Sequence, residues 1–185
     1  MSDKTFIHSS AHISDGVQLG EGTKVWINVQ IRENAVIGDH CIISKDVYID
    51  HGVSIGKRCK IQNSVSVYNG VTIEDDVFVG PNVAFINDRV PRAFNTEWKV
   101  SETLVRQGAS IGANATVMCG IELGKYAMVA AGSVVTRNVP AHGLVMGNPA
   151  RLVGYVCHCG HRINHEGLCR ACGKVTDLHT TGEKP

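Results

Sequence analysis

The chain has little that would suit a membrane, a nucleic acid or a broad hydrophobic core. Aromatic residues make up 5% of its 185 residues, too few for a core of large rings. Eighteen basic and 17 acidic side chains leave a formal net charge of +1, so no bulk charge draws the chain to nucleic acid. No apolar run approaches the ~18 residues of a membrane-spanning helix. The opening stretch MSDKTFIHSSAH has none of the apolar centre of a secretory signal. With no export route in view, the seven cysteines are expected as free or metal-bound thiols in a reducing cytoplasm. Twenty glycines beside so few aromatics point to many tight turns around a narrow interior.

A repeat fills the space those absences leave. Every sixth residue from Ile7 is apolar: Ile7, Ile13, Leu19, Val25 and onward through Val79 to Phe85. The series resumes at Val105 and runs through Ile111, Val117, Leu123 and Val129 to Val135. A second column, four residues after each of these, is small or β-branched, as at Ala11, Val17, Ala35, Cys41 and Cys59. Glycine often follows the first column, as at Gly20, Gly38, Gly56 and Gly112. A period of six is neither the 3.6 of a helix nor the 2 of a lone strand. It fits a short flat strand and a tight turn, repeated, with the aliphatic inside; β-branched residues suit such strands. A sandwich with strands every 8–12 residues does not keep this phase.

The repeat resembles that of the hexapeptide β-helix acyltransferases, which implies three hexapeptides per coil, so residues 18 apart should stack at about the 4.7–4.9 Å spacing of parallel strands. One such column is Glu33, His51, Asn69 and Asn87. It is polar throughout, and Gly52 and Gly70 beside it would leave room for a ligand. Directly beyond Asn87 the repeat gives way to a non-repeating stretch, and a break in a solenoid maps to a loop on one face. This loop carries Arg89 and Arg92, suited to phosphate or carboxylate, and the aromatics Phe94 and Trp98.

The repeat resembles the left-handed parallel β-helix acyltransferases, whose motif is an aliphatic, a glycine and a small residue per hexapeptide. The fold this implies is all-β: a left-handed parallel β-helix of hexapeptide repeats with a small Cys-rich, zinc-ribbon-like C-terminal tail. Within that family, KIQNSVSVY (60–68), EDDVFVGP (74–81) and FINDRVPR (85–92) resemble the sugar-nucleotide 3-amino N-acetyltransferases of surface-polysaccharide synthesis. The sequence departs from that subgroup at Ile86, over Trp26–Gln30 and over Ser44–Asp46. The resemblance implies acetyl transfer from acetyl-CoA to an amino sugar linked to UDP or dTDP. UDP-2-acetamido-3-amino-2,3-dideoxy-glucuronate is the leading candidate, and a homotrimer with active sites between subunits is implied. Glu33, His51, Tyr68, Asn69, Arg89 and Arg92 are the expected substrate contacts.

The segment LGKYAMVAAGSVVTRNVPAHGLVMGNPARLVG (123–154) resembles the closing coils of acetyl-CoA-dependent members. It implies cofactor contact at Ala131, Arg137, Asn148, Pro149 and Arg151, with backbone groups near Gly108 and Ala113 polarising the thioester. Asn87 is expected to hold the sugar amine, with Asp88 as the other catalytic candidate and the CoA thiolate as final proton acceptor. His51, about 9–10 Å below Asn87 by the stacking count, is expected to touch ligand rather than act as base.

After Gly154 come Cys157-x-Cys159-Gly and Cys169-x-x-Cys172-Gly. Two close pairs, each followed by glycine, have the form of zinc knuckles. A stretch this short has almost no core, so a structural zinc ion would largely determine its fold. Cys41 and Cys59 fall on the interior column, and Cys119 falls on neither. The expected organisation is a β-helix domain over 1–154 with an active-site loop at 86–104, a ribbon-like tail over 155–175, and a disordered stretch over 176–185. A γ-class carbonic anhydrase would need three converging histidines and a serine O-acetyltransferase an activating one; no such spacing occurs in the coils. A bare scaffold would have no use for the Asn-Asp loop.

Overall fold

The computed structural model describes residues 4–97 and 99–177. Trp98 and residues 178–185, and with them most of the stretch expected to be disordered, lie outside the described residues. Strands of two or three residues, separated by turns, wind into a three-sided parallel β-helix. Face one begins with Phe6–Ile7, face two with His12–Ile13 and face three with Gln18–Leu19. Residues 18 apart pair within each face, as Tyr48 with Ser66 and Ile49 with Val67. The six-residue period and the three-hexapeptide coil are thus both present.

Each strand ends on the aliphatic of the first column, and these side chains fill the prism from Val25 to Val135. The second column is interior too: Val29, Ala35, Cys41 and Cys59 are fully buried. Three members of the aliphatic series are not. Ile7 is exposed and Ile13 and Leu19 are half-buried, because the first coil has a neighbour on one side only.

Most turns of the prism share one backbone solution. In these the third residue after the first-column aliphatic adopts positive φ, from Gly16 through Asn28, Asn34, Asp46 and Gly52 to Asn82. Glycine, asparagine and aspartate tolerate this left-handed conformation best, and they occupy most of these corners. The glycine directly after the aliphatic answers a different need. A Cβ on Gly112 would strike the backbone of Ala130 and Ala131 in the next coil.

The break is an insertion. Before it, partners are 18 apart; across it they are 32 apart, as Ala84 with Thr116 and Thr72 with Leu104. The chain leaves after Phe85 and returns at Thr103, whose N–H bonds to the Gly70 carbonyl at 2.8 Å. Face two therefore stays continuous while the loop emerges at its corner with face three. The last coil ends in an antiparallel hairpin, Gly143–Gly147 with Ala150–Tyr155, laid on face one through Leu144 and Val145. The Cys-rich tail follows, with only two isolated bridges of its own, Val156 to Arg162 and Leu168 to Val175.

Candidate active site and four-cysteine cluster

The polar column is real and lies along the corner between faces two and three. Gly52 N–H bonds to the Glu33 carbonyl at 3.0 Å, and Asn69 Nδ2 donates to the His51 carbonyl at 3.0 Å. Gly52 and Gly70 serve the turn, with φ of 66° and 90°. Only Gly52 also leaves the room expected: an added Cβ there would meet nothing closer than Asn69 Nδ2 at 3.7 Å, whereas at Gly70 it would collide with Val100 from the returning loop.

The hub of this corner is a residue that spacing did not single out. Asp50 is buried, and its Oδ1 accepts from the His51 backbone N–H at 2.8 Å and the Tyr48 hydroxyl at 3.0 Å. His51 Nδ1 lies 3.0 Å from the same oxygen, and Asn69 N–H reaches Oδ2 at 3.3 Å. Burial opposes the Asp50 charge, yet the donors from His51, Asn69 and Tyr48 outweigh it and hold the carboxyl below its ordinary range. An ionised Asp50 only accepts, so the contact with Nδ1 is a donation from the His51 ring. The only signal in the sequence was the YID triplet ahead of His51, whose alternation puts the tyrosine and the aspartate on one side of the strand end. Arg32 grips Glu33 through two contacts of 2.6 and 2.9 Å, which bring the Glu33 carboxyl down to about 2. Tyr68 stands next to the hub, its ring 5.9 Å from that of Tyr48.

Asn87 sits half-buried at the root of the loop. The Asp88 carboxylate accepts the Val90 N–H at 2.9 Å, so it shapes the loop's first turn. Arg89, Arg92 and Phe94 are exposed, and Arg92 donates to the Pro91 carbonyl at 2.7 Å. Continuing the pairing of Phe85 with Val117 and Val117 with Val135 aligns Cys119 and then Arg137 with Asn87. The corner therefore carries Glu33, His51, Asn69, Asn87, Cys119 and Arg137. Cys119, off both columns when counted without the insertion, is buried here.

The remaining cofactor candidates are spread over other corners. Ala113, Ala131 and the hairpin tip Asn148–Pro149 lie at the corner between faces one and two, where Gly147 N–H bonds to Ser133 Oγ at 3.2 Å. Arg151 is exposed on the hairpin's outer strand. Gly108 lies at the corner between faces three and one, covered by the Tyr126 ring. A cavity of about 490 Å³ near that corner is lined by Arg106, Glu122, Lys125 and Asn138. Arg106 is already bridged there to Glu74 and Glu122, each at 2.9 Å. Within one chain, then, the Asn87 corner and the hairpin tip occupy different edges of the prism.

The tail brings all four predicted metal ligands together. The sulfurs of Cys157, Cys159, Cys169 and Cys172 lie within 4.8 Å of one another. Backbone N–H groups, first that of Cys172, draw the Cys169 thiol down to about 7. Against the Lys174 N–H, burial and the neighbouring sulfurs push Cys172 up to about 12. Sulfurs that cannot all ionise side by side are what a cation would relieve.

The bacterial transferase hexapeptide (six repeats) family matches residues 16–51, 34–69 and 52–87, and the hexapeptide repeat of succinyl-transferase matches 107–137. The chain is 47% identical over 176 residues to dTDP-3-amino-3,6-dideoxy-alpha-D-galactopyranose 3-N-acetyltransferase of Aneurinibacillus thermoaerophilus, covering 94% of this chain and 91% of that protein. Among solved structures it resembles PerB from Caulobacter crescentus in complex with CoA and GDP-perosamine, at 29% identity and a TM-score of 0.53. That match covers 83% of this chain but only 58% of PerB. It also resembles a hexapeptide-repeat acetyltransferase from Vibrio cholerae complexed with acetyl coenzyme A, at 25% identity and a TM-score of 0.52, over 61% of this chain and 69% of that one. No helix among the described residues is long and apolar enough to cross a membrane. With the repeat matched on both sides of the loop, and a relative aligned along nearly its whole length, the chain belongs to the bacterial transferase hexapeptide family.

Proposed function

We propose that the chain transfers the acetyl group of acetyl-CoA to the 3-amino group of a nucleotide-linked sugar. The observation that carries this reading is the polar corner ending at Asn87 under the inserted loop, in a chain 47% identical to a dTDP-3-amino-sugar 3-N-acetyltransferase. That relative favours a dTDP-linked 3-amino-6-deoxyhexose. A UDP-linked 3-amino uronate is the second reading, favoured by the two exposed arginines of the loop, Arg89 and Arg92, which suit a carboxylate as well as pyrophosphate.

In the proposed reaction the neutral amine, held by Asn87, attacks the thioester carbonyl; the C–N bond forms, the C–S bond breaks, and the amine proton passes to the departing sulfur. Alignment supplies much of the rate, since effective molarity contributes about 7–11 kcal/mol to well-oriented transfers. His51, fixed by Asp50, accepts a hydrogen bond from the sugar nucleotide, with Tyr68, Asn69 and Glu33 along the same corner. Arg137 and the hairpin residues Asn148, Pro149 and Arg151 serve the CoA phosphates and adenine. Because these lie on two edges, we assign the complete site to the contact between neighbouring copies in a homotrimer. Gly108 and Ala113 are off Asn87's corner, so a thioester-polarising N–H from that stretch would come from the adjacent copy. The tail is assigned one structural zinc ion on its four cysteines.

A thiol-release assay with acetyl-CoA against UDP- and dTDP-linked 3-amino sugars tests the reading. Turnover with one of them is expected. Release no faster than hydrolysis across the panel refutes it. Sedimentation showing a monomer at micromolar concentration refutes the shared site.

A further inference from the structure

We propose that the zinc ion of the four-cysteine site is a clasp: it locks the hairpin Gly143–Tyr155 onto the last coil and so holds Asn148–Arg151 in place for acetyl-CoA. The acetyl-CoA half of this statement rests on the function proposed above; the locking of the hairpin does not.

The site has the dimensions of a tetrathiolate. Cys159 and Cys172 sulfurs are 3.5 Å apart, and Cys157–Cys172 and Cys159–Cys169 are each 3.6 Å apart. Zinc–sulfur bonds of about 2.3 Å at tetrahedral angles set the sulfurs roughly 3.8 Å apart. Each cysteine pair closes a tight knuckle. Gly160 N–H bonds to the Cys157 carbonyl and Gly173 N–H to the Cys169 carbonyl, both at 2.8 Å. Both glycines have positive φ, 85° and 72°.

The first knuckle is continuous with the hairpin and packed against the prism. The outer hairpin strand runs through Tyr155 into Val156 and Cys157, which are both buried. Val156 N–H bonds to the His142 carbonyl at 2.8 Å, and His142 Nδ1 lies 2.9 Å from the Val156 carbonyl. His142 stacks on Tyr126 with centroids 5.2 Å apart, and His158 of the knuckle meets the same ring edge-on at 6.5 Å. Ile163 N–H returns to the Tyr155 carbonyl at 3.1 Å. The tail thus holds the base of the hairpin from both sides.

Apart from that grip, the hairpin is held by buried Leu144 and Val145 and by Ala150 and Leu152 packed on the core. Its inner strand has the last coil as a neighbour, but Ala150–Tyr155 is an edge strand with exposed Arg151 and Val153. Edge strands at a solenoid's end fray unless tied down. Among its described residues the tail buries little apolar surface, chiefly Val156, beside the buried Cys157 and Cys169.

The test starts from purified full-length protein with its zinc measured. Half is stripped with a strong chelator under native conditions, and part of that is reloaded with zinc. Hydrogen exchange of residues 143–156 is expected to speed up at least tenfold on stripping, with residues 30–80 unchanged and protection restored by zinc. Calorimetry is expected to show acetyl-CoA binding at least tenfold weaker in the stripped protein. Unchanged hairpin exchange after complete zinc loss overturns the clasp, as does unchanged acetyl-CoA affinity in a protein whose hairpin has loosened. Protein isolated with under a tenth of an equivalent of zinc and four titratable thiols overturns the metal site itself. If the zinc-loaded protein binds no acetyl-CoA while its hairpin still responds to zinc, the locking stands and the acetyltransferase reading falls. Cys169→Ser should reproduce the stripped state, and zinc should not rescue it.

Discussion

The prism and the tail are both built from short, turn-rich segments, yet they reach order by different routes. In the prism each coil after the first contributes buried aliphatics such as Ile31, Ile49 and Ile61, and each parallel pairing satisfies the backbone of the next coil. Order there is shared across the whole stack. Among the described residues the tail has two isolated bridges, and its buried side chains are few, Val156, Cys157 and Cys169. A repeated apolar column makes order collective, whereas the zinc ion proposed for the four cysteines would make the tail's order conditional on one ion.

Perturbations that hit one region and spare the other sharpen this contrast. The largest effect is expected from Ile61→Ala, which removes a fully buried side chain from the middle of the stack. It should destabilise the prism by about 2–5 kcal/mol in denaturant unfolding, while zinc content of the folded fraction stays unchanged. Zinc loss without a shift of the prism transition would break the contrast. Next comes Asn87→Ala at the loop root, expected to lower turnover on the order of 100-fold with neither thermal stability nor zinc content altered. Activity within threefold of the parent would remove Asn87 from its assigned role.

Asp50→Asn should raise the sugar-nucleotide KM roughly tenfold, about 1.4 kcal/mol of binding, through disorientation of His51, with kcat changed less. His51→Asn should have a similar, mild effect. Asp50 also gives the prism a pH signature. Its folded carboxyl titrates below the ordinary value of about 3.9, so its stabilisation is present above that value and is lost as pH falls through the lower folded one. Acid unfolding below about pH 4 should therefore be shallower in Asp50→Asn. The smallest effect is expected for Arg106→Met. Its bridges to Glu74 and Glu122 involve side chains 32–43% exposed, and such pairs contribute about 0–1 kcal/mol. A loss above 2 kcal/mol in urea would show that the bridges, and not the interior, secure that corner.

Much of the prism is legible in the sequence because one physical requirement recurs every six residues. The aliphatic series predicts the strand ends, and the 18-residue count predicts the column from Glu33 to Asn87. The four cysteines predict their own meeting, since two knuckles admit few arrangements. The Asp50 hub was not legible, because a lone aspartate beside a histidine has no periodic signal; only the turn shows its carboxylate facing His51, Tyr48 and Asn69 together. The place of Cys119 was also hidden, since a count by sixes cannot pass through an insertion.

The sequence by itself determined the repeat, the point of its interruption and the residues proposed to carry acetyl transfer and to bind metal. It could do so because side-chain size at a fixed period and ligand spacing are local properties. Only the tertiary structure decided which corner each residue occupies. It placed Arg137 on Asn87's edge and Asn148 on another, and it set the four-cysteine knot against the hairpin that follows the last coil. Those placements depend on how 14 inserted residues are absorbed between faces two and three, and on contacts between segments far apart in the chain.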